Sequence, residues 1–257
     1  MTGPVEPLGV LASGLLVVVA VVVSWWAGLR LERDLITAAL RAAAQLALLG
    51  LVLVAILTPG QPLALSWLWV AIMIVFASWT VHRRVPGVPW LGILSMAAFT
   101  AAAVVTLGVL FGAGVFPVDS TTIVPLAGLM IGNSMTATVL LARRITAEFR
   151  DKRLEIEARL ALAQPSSEAA RPYLQEALRT ALIPQIETTK AVGIVFLPGM
   201  MVGLLLAGVS PLGAVQAQLV IMYLVLGSVA VTTIVIALGM RRILFTANHQ
   251  LRLPRER

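Results

Sequence analysis

The sequence predicts an all-α polytopic membrane bundle of seven transmembrane helices, with the amino terminus outside and the carboxyl terminus cytoplasmic. Three observations predict it. The 257 residues are 59% hydrophobic and 12% charged, with a mean hydropathy of +0.96. A soluble chain of this length has nowhere to bury that much apolar surface, whereas lipid accepts it on every side. Apolar stretches long enough to cross a core of about 30 Å, roughly 20 helical residues, recur along the chain. All 19 Lys and Arg residues then fall on one side of the membrane if the helices alternate from an outer amino end, and positive residues mark the cytoplasmic side. The net charge of +7 is therefore answered by the anionic inner leaflet, with membrane lipid and no nucleic acid as the partner it calls for.

The first stretch, about 8–28, follows an amino end without a basic region, so it reads as a spanning helix rather than a cleaved leader. Arg30 and Arg33 close it on the inner side. The second, about 35–57, carries Arg41 and Gln45 four residues apart, hence on one helix face. Arg41 either snorkels to the cytoplasmic interface or lines an inward-facing cavity. The third and fourth, about 65–81 and 91–111, flank Arg83 and Arg84. Glu6 and Asp119 are the only charges expected on the outer side.

The fifth stretch, about 123–142, holds Asn133, Ser134, Met135 and Thr136 at its middle. Polar groups there are costly unless they face other helices or a water-filled cavity. Gly128, Gly132 and Thr136 repeat every four residues, a spacing that lets another helix approach closely. The cluster either joins helices by hydrogen bonds or lines a path.

The chain then turns polar over about 143–189, the one long cytoplasmic segment expected within a single transmembrane domain covering 1–257. The pattern predicts a helix over 143–163 that continues the fifth into water. A break follows at Pro165, Ser166 and Ser167, with Ser167 as N-cap of a second helix over about 168–182. Beyond it Pro184, Gln185, Ile186 and Glu187 form an amphipathic strip expected at the membrane surface. The sixth stretch, about 190–208, contains Pro198 and Gly199, which weaken or break a helix, followed by Met200 and Met201. Thioethers suit soft ions and amide or hydroxyl oxygens hard ones, so this segment and the Asn133 cluster supply donors for either, or adaptable packing alone. The seventh, about 213–238, carries Gln216, Gln218, Tyr223, Thr232 and Thr233 and leads into a basic tail.

Much is excluded. No cysteine is present, so there is neither disulfide nor thiolate metal site. No HExxH, G-x-S-x-G or phosphate-binding loop occurs. The last helix lacks the lysine of a retinal protein. The only lysines are Lys152 and Lys190, an arginine bias expected of a GC-rich bacterial genome and hence of an inner-membrane protein.

The stretches RAAAQLALLGLVL (41–53), GLMIGNSMTATVLLARR (128–144) and ALIPQIETTKAVGIVFLPGMMVG (181–203), with the polar-studded seventh helix, resemble the FetB-type, YbbM-like family of ABC-transporter permeases, which includes the plant aluminium-tolerance permeases. The resemblance covers nearly the whole chain. It implies a non-enzymatic permease subunit, a homodimer, working with a separate ATP-binding subunit. That partner uses ATP and Mg, this chain binds no cofactor of its own, and iron or another metal ion is exported. Many ABC permeases carry a cytoplasmic EAA-x3-G-x9-I-x-LP pattern. Here Glu176, Ala177 and Leu178 precede Leu197 and Pro198, but Leu182 stands in the glycine position and the Leu-Pro pair comes three residues late. Pro184 to Glu187 are the expected ATPase contacts, Pro198 and Gly199 the hinge. The residues leave two alternatives open: an ion-gradient-driven secondary carrier, and a membrane scaffold that transports nothing.

Overall fold

A computed structural model describes residues 7–58, 60–194, 197–246, 248 and 250–251. The expectations that fall on Glu6 and on the end of the basic tail from Arg252 lie outside the described residues. Among those described, every regular element is a helix: α1 (Pro7–Trp26), α2 (Glu32–Leu57), α3 (Leu63–Arg84), α4 (Leu91–Gly112), α5 (Ser120–Asp151), α6 (Arg153–Ala161), α7 (Ser166–Ala191), α8 (Gly199–Leu206) and α9 (Pro211–Leu244). Five of them, α2, α3, α4, α5 and α9, are long and apolar enough to cross a membrane. The chain divides into two compact units, Met1–Gln61 and Pro62–Arg257.

In the first unit α1 and α2 form a hairpin. The turn is closed by the buried Ser24, whose hydroxyl donates to Glu32 Oε1 at 3.1 Å and accepts from the Leu31 amide at 3.3 Å.

The second unit is a bundle around α3, α4, α5 and α9. Lipid tails are as apolar as leucine, so burial alone does not draw membrane helices together; close van der Waals packing through small residues does. The α4–α9 seam shows this. Ala98 and Ala102 are fully buried on α4, and on α9 Gly239 admits Leu94 so closely that a Cβ there would sit 2.3 Å from Leu94 Cδ1. Further along, Thr106 Cγ2 would lie 3.7 Å from a Cβ on Gly227. The pairing descends on one helix as it climbs on the other, so α4 and α9 are antiparallel. On α3 and α5 the pairing climbs on both: Ser66 donates to Ser120 at 2.8 Å, Met73 packs at Gly128, and Arg84 accepts from Arg143. On α5 and α9, Ala137 clusters with Val225 and Val229, and the rings of Phe149 and Phe245 lie 6.0 Å apart. Thus α3, α5 and α9 run one way and α4 the other.

Because α5 and α9 are parallel, the chain must return along them in between, and α7 does so. Arg171 and Arg241 line one groove at the basic end of α7 and α9, and Leu182 packs against the Ala137, Val225 and Val229 cluster. The return is interrupted. The predicted stretch 190–208 is not one helix: α7 ends at Ala191, Val192 turns to extended backbone (φ −64, ψ 138), and Gly193 takes φ +86. Pro198 is the N-cap of α8 rather than a kink within a helix. Gly193 adopts a conformation other residues resist, so the backbone leaves the helix there, and Pro198 disfavours the helical region for Leu197, so α8 begins only after it. Residues 195–196 of this stretch lie outside the described residues.

Two further expectations are corrected. The helix predicted over 143–163 breaks at Lys152 into α5 and α6, and its apolar face is not in water. Ile145, Phe149 and Ile156 are fully buried in a core shared with Tyr173 and Leu174 of α7. The helix predicted over 168–182 is the single helix α7, which passes through Pro172 and Pro184 to Ala191. Its N-cap is Pro165, not Ser167; the Pro165 carbonyl accepts from the Glu168 and Ala169 amides at 2.9 and 3.0 Å. Each internal proline removes one backbone bond but leaves φ helical, and the buried face of Tyr173, Leu174, Ala177 and Ala181 holds the helix together across them.

Candidate functional site

The polar cluster at the middle of α5 lies at one depth but on two faces. Successive helical residues are rotated by about 100°, so Asn133 and Thr136 share a side and Ser134 does not. Asn133, Thr136 and Gly132 are exposed, as is Leu140 one turn on. Asn133 Nδ2 donates to the Leu129 carbonyl at 2.8 Å, and Thr136 Oγ1 to the Gly132 carbonyl at 3.2 Å. Asn133 follows the N-cap Asp119 by fourteen residues and precedes Arg143 by ten, about 21 and 15 Å along the axis.

Ser134 points the other way and is 1% exposed; Thr138, one turn later, is 0% exposed. They face the interior with Thr232, Thr233, Ser228 and Gln218 of α9 and with Ser95 and Thr106 of α4, all buried. Some of these hydroxyls fold back on their own helix. Ser228 donates to the Val225 carbonyl, Thr233 to that of Val229, and Thr106 to that of Ala102, with Met130 Sδ at 3.2 Å as a second contact. The hydroxyls of Ser95, Ser134, Thr138 and Thr232 and Oε1 of Gln218 make no hydrogen bond within the chain. Buried polar atoms are normally paired, so five unpaired oxygens distributed over α4, α5 and α9 mark this seam. Thr138, Ser95, Thr106 and Ser228 were not singled out from the sequence. The readable signal for Thr138 was its place one turn after Ser134.

Other expected site residues fall elsewhere. Arg41 and Gln45 are exposed on α2 in the first unit. Met135 packs against the main core and Met222 is buried, whereas Met200 is exposed and Met201 half-buried on α8, which rests on α9. Among the described residues no group of His, Cys, Asp or Glu could hold a metal ion. Pro184, Ile186 and Glu187 are exposed and Gln185 half-buried on α7, and Glu187 pairs with Lys190 at 2.9 Å. α7 starts at the basic end, where Arg171 and Arg241 share a groove, and Leu182, which packs at Ala137, comes just before these four residues.

At the basic end α6 and α7 are tied by polar contacts. Tyr173 donates its hydroxyl to Glu155 Oε2 at 3.0 Å, and Lys152 donates to Glu155 Oε1 at 2.8 Å. Lys152 first, and then Tyr173, hold the Glu155 carboxyl below its ordinary value, while burial pushes the Tyr173 phenol up. Beside this network Leu154 and Leu162 are 80% and 78% exposed.

Residues 7–245 match the model of the uncharacterised protein family UPF0014. The chain belongs to that family. UPF0014 relatives cover nearly all of it. The UPF0014 membrane protein YjkA of Bacillus subtilis is 33% identical over 86% of this chain and 88% of its own. The probable iron export permease protein FetB of Escherichia coli is 31% identical over 92% and 91%. The UPF0014 membrane protein STAR2 of Oryza sativa is 33% identical over 91% and 81%. No solved structure matches this UPF0014 chain. Like its relatives, it is a multi-pass membrane protein.

Proposed function

We propose that this UPF0014 membrane permease is the membrane-spanning subunit of an ATP-driven exporter, pairing with a second copy of itself and with a separate ATP-binding subunit that uses ATP and Mg. The reading rests on one observation above all: Asn133 and Thr136 are exposed beside Gly132 halfway along a membrane-length helix. A polar face at that depth requires cover by protein or water. A second copy laid against the exposed Gly132 and Thr136 face encloses it, and the amide and hydroxyl oxygens then line a path between the copies. Such hard donors suit a metal ion as cargo, and the relative from Escherichia coli is named for iron export.

The topology goes with this reading. Counting α1, α2 and the interrupted return through α7 and α8 as crossings gives seven in a single permease domain. The helix ends bearing Arg83, Arg84, Arg143, Arg144, Arg241 and Arg242 then face the cytoplasm of a bacterial inner membrane, with the amino end outside. The ATP-binding subunit docks on the cytoplasmic end, where Leu154 and Leu162 stand free beside α7. Its motion enters α7 there, passes along that helix to Pro184, Gln185, Ile186 and Glu187, and reaches the hinge at Pro198 and Gly199. Arg41, Gln45, Met200 and Met201 are secondary candidates for contact with cargo.

The test is flux. Proteoliposomes holding the chain with its ATP-binding subunit should move ferrous iron only with ATP, and Asn133→Ala should lower the rate at least tenfold without loss of assembly. Leu154→Glu with Leu162→Glu should release the ATP-binding subunit. Iron crossing in ATP-free vesicles would establish a secondary carrier instead, and partner binding without flux a scaffold.

A further inference from the structure

The outer surface of the α3–α4 pair carries a groove that the transport reading leaves unused. Its upper part, about 610 Å³, is apolar. Trp67, Ala71 and Ile74 of α3 face Thr100, Gly108 and Phe111 of α4, with the Trp67 and Phe111 rings edge to face at 6.5 Å. Its lower part, about 360 Å³, is lined by Ser78, Trp79, His82 and Trp90. Val75 and Met96 belong to both, so the two are one trough that changes character along its length. From Trp67 to His82 it runs fifteen residues, about 22 Å, more than the roughly 15 Å depth of one leaflet's hydrocarbon.

At its basic end the trough is bordered by Arg83, which reaches it through Trp79. Arg83 holds its guanidinium 5.0 Å from the centroid of the Trp79 ring, and among the described ion pairs no carboxylate partners it. Trp90, 71% exposed, caps α4 with a left-handed backbone (φ 60), which a non-glycine residue adopts only when its surroundings enforce it. Tryptophan places an apolar ring and a polar N–H where hydrocarbon meets headgroups. Cationic pockets between helices at that level take anionic lipid headgroups.

We infer that the α3–α4 trough is a binding site for one anionic phospholipid of the leaflet on the basic side, its phosphate at Arg83, Trp79 and Trp90 and an acyl chain laid along Ala71, Thr100 and Gly108. A second copy of the chain fits the trough less well. A matching helix would leave the Arg83 charge without a counter-ion, whereas a phospholipid supplies both an acyl chain and a negative charge in the order the trough presents them. The assignment stands whether or not the protein exports metal.

The experiment uses the full chain, purified and delipidated in detergent, with phosphatidylglycerol or phosphatidylcholine added. Binding is read by native mass spectrometry and thermal unfolding. Phosphatidylglycerol should stay bound one per chain and raise Tm, while phosphatidylcholine of the same chain length binds more weakly. Arg83→Gln should weaken phosphatidylglycerol roughly fivefold, to the level of phosphatidylcholine, and Gly108→Leu, which fills the trough, should weaken both. Equal retention of the two lipids by the unaltered chain overturns the proposal and marks ordinary boundary lipid. So does phosphatidylglycerol binding that neither variant changes, or a dimer that Gly108→Leu dissociates.

Discussion

Arg143 of α5 donates Nη2 to the carbonyl oxygen of Arg84, 2.9 Å away at the end of α3. The last carbonyls of a helix have no partner of their own and carry its negative dipole end, so a guanidinium there supplies a donor and a matching charge. This contact fastens the basic ends of two parallel helices. Arg143→Ala should destabilise the protein by about 1 kcal/mol, and Arg143→Lys by less, since an ammonium keeps the charge without the planar fork. Thermal unfolding in detergent checks the order.

Gly239 and Leu94 test the close packing of α4 on α9. A Cβ at position 239 would meet Leu94 Cδ1 at 2.3 Å. Gly239→Ala should therefore destabilise by roughly 1–3 kcal/mol through overpacking. In the Leu94→Ala background the same change should be nearly neutral. A double-mutant cycle on unfolding midpoints measures the coupling.

Ala163 ends α6 with φ 61, the Ala163 and Gln164 amides reaching back to Leu160 and Arg159. Alanine in this left-handed position is strained by about 1–2 kcal/mol, and glycine is not. Ala163→Gly should stabilise by somewhat under 1 kcal/mol, because glycine also gains freedom in the unfolded chain. Hydrogen exchange of the Ala163 and Gln164 amides should slow accordingly.

The unpaired hydroxyls of Ser134 and Thr138 separate structure from transport. Removing a buried hydroxyl that has no partner leaves nothing unsatisfied. Ser134→Ala and Thr138→Val should therefore leave Tm unchanged or slightly raised. Because the proposed path lies on the opposite, Asn133 face, ferrous iron flux in proteoliposomes should equal that of the unaltered chain; a fall in flux with Tm unchanged would move the path to the seam.

Asp119 begins α5 with a capping box. Its Oδ1 accepts from the Thr122 amide at 2.9 Å while Thr122 Oγ1 faces the Asp119 amide. The Thr121 hydroxyl, donating at 2.6 Å, is the main reason its carboxyl lies below the ordinary 3.8. A carboxyl lowered in the folded state contributes stability above its unfolded pKa and loses it as pH falls through the folded value. The cap should thus hold at pH 5 and fail only below about 4. Asp119→Ala should cost about 1 kcal/mol at neutral pH and remove that acid-side dependence from the unfolding midpoint.

The chain's own residues fixed its solvent and its helices. Unbroken apolar runs at membrane length place α2, α3, α4, α5 and α9, because backbone in lipid must satisfy its own hydrogen bonds and a helix does so locally. Pro198 likewise announced the break in the sixth stretch, since a missing N–H is a property of one residue. What linear reading could not reach was partnership between distant segments. It took 143–163 to be a helix in water, yet Ile145, Phe149 and Ile156 are buried, because α7 folds back against them. It confined a helix to 168–182 with Ser167 as its N-cap, yet packing against α5 and α9 carries α7 from Ser166 through two prolines to Ala191. It grouped Asn133, Ser134 and Thr136 by depth, and only the placement of α9 decided that Ser134 joins Thr138 in a buried seam while its two neighbours stay outside. Length and hydropathy are sums over neighbouring residues and are written along the chain; a helix's inward face depends on which other helices surround it, and that is determined only when the bundle has packed.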